Sequence, residues 1–73
     1  MSAYSRRTYT GTAEALGRAF AFVDLEKVPS TRVIMLRGLT TAVNELCGMF
    51  AADNPNFDIK QFFAKIEDTR NGR

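Results

Sequence analysis

Apolar positions recur along this chain at steps of three and four, and no stretch alternates apolar with polar. Ala13, Leu16, Phe20 and Val23 mark one face of a helix. Ala15, Ala19 and Phe22 fall on a neighbouring face, so the apolar arc is wider than a single partner helix needs. Thr10 or Thr12 supplies the N-cap, because a threonine oxygen accepts from the free backbone N–H groups of a first turn. Gly17 weakens this helix by about 1 kcal/mol relative to alanine, and its retention predicts close helix packing. Residues 1–9 precede the cap as a flexible basic arm.

A second run is longer. Val33, Leu36, Leu39, Val43, Leu46 and Phe50 form a sustained seam of the kind that antiparallel helices bury. Ser30 is its expected cap, and Asp24 to Pro29 its preceding link. A helix from Thr31 to Ala52 spans roughly 33 Å at 1.5 Å per residue. Gly38 and Gly48 lie off the seam, either as mild local weakening or as sites where another helix approaches closely.

Asn54-Pro55 ends that helix. Proline pushes the preceding residue out of the helical region, and asparagine tolerates a left-handed exit. Asp58 then caps a third helix, with Gln61 completing a capping-box pattern. Phe57 just before the cap and Phe62 four residues after it form a hydrophobic staple. Ile59, Phe62, Phe63 and Ile66 supply the expected buried side. Lys65 and Arg70 favour the negative end of the helix dipole, and residues 70–73 form a frayed tail. The prediction is an all-α, three-helix single domain over residues 1–73, with a long central helix and a short C-terminal one.

Size sharpens this picture. A chain of 73 residues buries only about 60% of its unfolded surface, so a lone core is marginal. Small domains are commonly reinforced by disulfides, metal or a partner subunit. Cys47 is the one cysteine and histidine is absent, which excludes an internal disulfide and leaves no expected metal site or cofactor. Oligomerisation remains, with a homodimer favoured. No apolar run is long and uninterrupted enough for a membrane span, since Arg37, Asn44 and Glu45 break the best candidate. A free cysteine and no apolar leader point to a reducing cytoplasm.

The residues argue against catalysis. Histidine, the usual general base, is missing, and Cys47 lies in an apolar helix with nothing to activate its thiol. Asp53 and Asp58 are explained by the helix boundary, and Glu67 and Asp68 are adjacent residues whose side chains point apart. Thr10-Gly11-Thr12 lacks the spacing and the lysine of a phosphate loop. The expected class is a non-enzymatic protein that binds another protein through an apolar helical face. Phe22 and Phe63 are its candidate apolar contacts, and Arg6 and Arg7 its candidate charged ones. The alternative is a small nucleic-acid-binding protein using Arg6 and Arg7 on phosphate. Net charge is only +2, and the second helix is too apolar to read bases.

The block from Phe50 to Phe62, with Asn54-Pro55-Asn56-Phe57-Asp58 at its centre, resembles a C-terminal pattern of very short proteins from actinobacteria and their bacteriophages. In those proteins a helix ending in phenylalanine and small residues runs into Asn-Pro-x-Phe-Asp, and a second phenylalanine follows four residues after the aspartate. Tyr9, Thr12, Ala13 and Leu16 resemble their opening helix. This chain departs from the pattern after Phe63, where Lys65-Ile66-Glu67-Asp68 replaces an alanine-rich, cysteine-containing turn. The resemblance implies a phage or prophage origin, and so an accessory protein that binds a host or virion protein.

Overall fold

A computed structural model describes residues 4–72. Three α-helices follow in order: α1, Arg6–Asp24; α2, Pro29–Asp53; and α3, Ile59–Arg70. There is no strand among the described residues, so the all-α expectation holds.

α1 starts earlier than its threonines suggested. Ser5 is the N-cap, and its hydroxyl accepts from the Thr8 N–H at 3.3 Å. Tyr4 and Tyr9 flank this first turn and set their rings edge-on to Phe50, at centroid distances of 5.2 and 4.9 Å. That packing holds the chain start against the end of α2. Residues 6–9 therefore belong to a helix rather than to a flexible arm, and residues 1–3 lie outside the described residues.

α2 also begins before its expected cap. Pro29 occupies the first turn, where its fixed φ suits the helix and its missing N–H costs nothing. Val28 is the N-cap without a side-chain bond, and Ser30 lies inside the helix. The link is held locally instead. The Glu26 carboxylate accepts from the Val28 N–H at 3.1 Å, and Arg32 donates to the Glu26 carbonyl at 2.8 Å.

The junction between α2 and α3 follows its local signals closely. Asp58 accepts from the Gln61 N–H at 3.1 Å. The Phe57 and Phe62 rings stack edge-on at 5.4 Å. Asn54 corrects one detail: its backbone is extended (φ −137°, ψ 105°), not left-handed. The following Pro55 favours that region. The Asn54 side chain closes the turn by accepting from the Asn56 N–H at 3.0 Å.

α2 is the longest helix, but α1 is the packing hub: both α2 and α3 lie mainly against it. α2 runs antiparallel to α1, while α3 runs alongside α1 in the same direction. Tyr9 meets Phe57, Gly17 meets Ile66 and Thr69, and Asp24 meets Arg70, in that order. The close approach predicted at Gly17 occurs here. A Cβ at that position would lie 2.5 Å from the Thr69 Cβ and 2.7 Å from the Ile66 carbonyl oxygen.

The core comprises Ala13, Phe20, Val43, Cys47, Phe50, Phe62 and Ile66, with Leu36, Leu39 and Leu46 packed on it half-buried. The expected α2 seam is thus rotated. Cys47 joins Val43 and Phe50 at its centre, and Val33 is exposed. No residue from Pro29 to Ala42 is fully buried. In α3 only Phe62 and Ile66 are buried, and Ile59 and Phe63 face outward, contrary to expectation.

The chain end is likewise more ordered than predicted. Arg70 forms a bidentate pair with Asp24, at 2.7 and 2.8 Å, and its guanidinium lies over the Phe20 ring at 5.1 Å. Gly72 adopts φ +77°, a value that favours glycine, and its N–H donates to the Thr69 carbonyl. These contacts tie down residues 70–72, which were expected to fray; Arg73 lies outside the described residues.

Candidate functional site

Cys47 is buried between Val43 and Phe50 on the core side of α2, and burial pushes its thiol pKa up. A neutral, covered thiol is a packing group rather than a nucleophile. Asp58 is engaged as a helix cap and Asp24 in its pair with Arg70. That pair holds the Asp24 carboxyl below the usual carboxylate range, chiefly through the Arg70 hydrogen bonds. Among the described residues, no cluster of three or more acidic or cysteine side chains stands where a metal ion could be held.

Two grooves flank α3. The larger, about 720 Å³, lies beside α1 and the α2–α3 turn. Its walls are polar and aromatic, including Tyr9, Asn54, Phe57, Asp58 and Lys65. The smaller, about 490 Å³, opens between α2 and α3, because both pack on α1 and hardly touch one another. Phe20, Val43, Phe63 and Ile66 line it, and the Asp24–Arg70 pair stands at one side.

The four residues singled out from the sequence do not gather into one site. Phe22 is 68% exposed and sits on the side of α1 opposite Phe20 and Ala13. Phe63 is 42% exposed and belongs to the α2–α3 groove. Arg6 and Arg7 are exposed on the first turn of α1. Their charges stand at the positive end of that helix dipole, where a cation is disfavoured by about 0.3–1 kcal/mol. Arg7 and Arg18 share one side of α1, some 16 Å apart, with Glu14 between them. Lys65 lines the larger groove together with Arg6, whereas Arg70 is paired with Asp24 at the other end of α1.

Sequence reasoning missed a more pronounced feature. Phe22, Leu25, Val28 and Val33 are all exposed, Leu25 at 74%. They fall within the last turn of α1, the link and the opening turns of α2, so large apolar side chains gather at one end of a 44 × 23 × 16 Å molecule, among the exposed polar residues Asp24, Lys27, Ser30 and Thr31. The signal was present in the link itself, which carries Leu25 and Val28 where a solvated turn would carry polar residues. No helix among the described residues is long and apolar enough to cross a membrane. Set against protein-family profiles, curated proteins and solved structures, the chain matches none of them.

Proposed function

We propose that this chain is a non-enzymatic interaction protein that docks on another protein through the apolar end formed by Phe22, Leu25, Val28 and Val33, and that it works as a homo-oligomer. The observation that carries the reading is the concentration of large exposed apolar side chains in that end. Single exposed hydrophobics are ordinary, whereas a contiguous apolar patch on a small protein marks a contact surface. The likeness of the Asn-Pro-x-Phe-Asp block to actinophage proteins supports a partner from the virion or the bacterial host, in the host cytoplasm.

The alternative, nucleic-acid binding, finds less support. Arg7 and Arg18 share a side of α1 but stand far apart with Glu14 between them, and Arg37 lies on α2. Such a protein needs cations gathered along one face.

The two readings separate in a binding measurement on the protein retained by the full chain. Under the apolar reading, Phe22→Ala combined with Leu25→Ala weakens binding roughly tenfold or more, because two exposed side chains of this size carry most of the available apolar contact. Arg6→Ala with Arg7→Ala changes it little, and so does salt. Under the nucleic-acid reading, affinity falls by orders of magnitude between about 50 and 200 mM salt, and the arginine variants lose it.

A further inference from the structure

α2 carries a second run at helical spacing, on the side turned away from the core. Ile34, Gly38, Thr41, Glu45, Gly48 and Ala52 follow at alternating steps of four and three, and all are exposed. That spacing places them on one face of the helix, opposite Val43 and Phe50. Nothing in the protomer covers this face.

Four features of this face fit a closely packed helix partner. A Cβ at Gly38 or Gly48 would meet nothing within 4 Å, so packing inside the protomer accounts for neither glycine. Each glycine weakens the helix and clears the surface for a close neighbour. Ile34 stands out from the same face at 69% exposure. The Thr41 hydroxyl donates to the Arg37 carbonyl at 2.8 Å, so the one hydroxyl in the middle of the seam is already satisfied and can be covered. Arg37 on the rim and Glu45 in the seam form no ion pair within the protomer, among the described residues.

We propose that a second copy of this chain covers the face, with the two α2 helices packed antiparallel about a twofold axis at Thr41. Such an axis sets each residue opposite the one equally far on the other side of Thr41. Ile34 then faces the partner's Gly48, a projecting side chain against an open glycine. Arg37 faces the partner's Glu45. Symmetry repeats both contacts, so two ion pairs flank the axis. This order of charge and shape is complementary to itself when reversed, which selects another copy of this chain over an unrelated helix. The contact leaves the Phe22–Leu25–Val28–Val33 end outside the seam. The proposal deepens the oligomeric part of the reading above and rests on it.

Sedimentation equilibrium on the full chain tests it, with far-UV circular dichroism confirming that each variant is helical. The wild type is expected to be dimeric at micromolar concentration. Arg37→Glu or Glu45→Arg alone sets like charges opposite one another twice, and weakens the dimer roughly tenfold or more. The double variant R37E/E45R reverses both signs and restores the wild-type dissociation constant to within about threefold. Gly48→Leu removes the recess facing Ile34 and yields a helical monomer, since the space around Gly48 in the protomer is open. A wild type that stays monomeric at high micromolar concentration overturns both this proposal and the oligomeric reading. A dimer indifferent to the charge reversals and to Gly48→Leu overturns this face while self-association stands. A dimer weakened by both single reversals but not recovered by the double variant overturns the antiparallel register.

Discussion

Replacing Gly17 by alanine tests whether α3 really lies against α1 as closely as described. On an open helix surface the change stabilises by about 1 kcal/mol, because alanine has the better helix propensity. At Gly17 the new Cβ would sit 2.5 Å from the Thr69 Cβ and 2.7 Å from the Ile66 carbonyl oxygen. Neither atom is the tip of a flexible side chain, so relief requires α3 itself to move. Overpacking of this kind costs typically 1–3 kcal/mol, and a clash with backbone belongs at the upper end. Against the propensity gain, the net expectation is a loss of about 1–2 kcal/mol. For a domain of this size that lowers Tm by roughly 4–16 °C. The assay is urea and thermal unfolding by circular dichroism, at one fixed protein concentration because association shifts apparent stability. Gly11→Ala is the internal control: it lies in the same helix, and a Cβ there meets nothing within 4 Å. It should gain up to about 1 kcal/mol. If Gly17→Ala is as stable as Gly11→Ala, the α1–α3 packing is not as described.

Two further perturbations address the core and the ion pair. Phe50 is 2% exposed and meets the rings of Tyr4, Tyr9, Phe57 and Phe62 at 4.9–5.8 Å. Phe50→Ala should cost about 3–5 kcal/mol, out of a total expected on the order of 4–11 kcal/mol for a chain of this length. A partly unfolded variant at 25 °C is the expected result, and a loss under 1 kcal/mol would show that the aromatic cluster is not the centre of the fold. Arg70 holds the Asp24 carboxyl below its ordinary range, so the folded state releases this proton more readily than the unfolded chain does. The pair's contribution is therefore complete above the unfolded value of about 3.9 and fades as pH falls through the lower folded value. Both side chains are more than a third exposed, which limits the contribution to about 0.5–1 kcal/mol. Asp24→Asn should lower stability by that amount at neutral pH and by almost nothing near the acid end of the titration; an equal loss at both refutes the assignment.

What could be read from the chain depended on how local the deciding contacts are. The α2–α3 junction was legible almost atom for atom, because the Asp58 cap, the Phe57–Phe62 staple and the Asn54-Pro55 break each act within a few residues. The start of α1 was not. Ser5, Thr8, Thr10 and Thr12 are all competent caps, and the choice among them falls to Tyr4 and Tyr9 packing on Phe50, more than forty positions away. Pro29 was assigned to the link because proline disfavours helix at the residue before it, but the same ring is well suited to a first turn. The rotation of the α2 seam toward Cys47, and the exposure of Ile59 and Phe63, follow from α3 packing on α1 rather than on α2. That arrangement is a matter of tertiary geometry, and Gly17 was its one visible sign. Of the candidate surface, Phe22 was identified from its position off the main face. Leu25 and Val28 were assigned only to the link, and Val33 was placed in the buried seam, where it is in fact exposed.

The parallel alignment of α1 and α3 has a kinetic consequence. The close approach of α1 and α3 joins Gly17 to Ile66 and Thr69, and the whole of α2 lies in the loop between them. A helical hairpin can zip up from its turn, but this pairing must close a loop of some fifty residues before it gains anything. During synthesis α1 waits unpaired on that side until α3 has followed α2. A truncation that removes only α3 would strip α1 of its main neighbour rather than trim an edge.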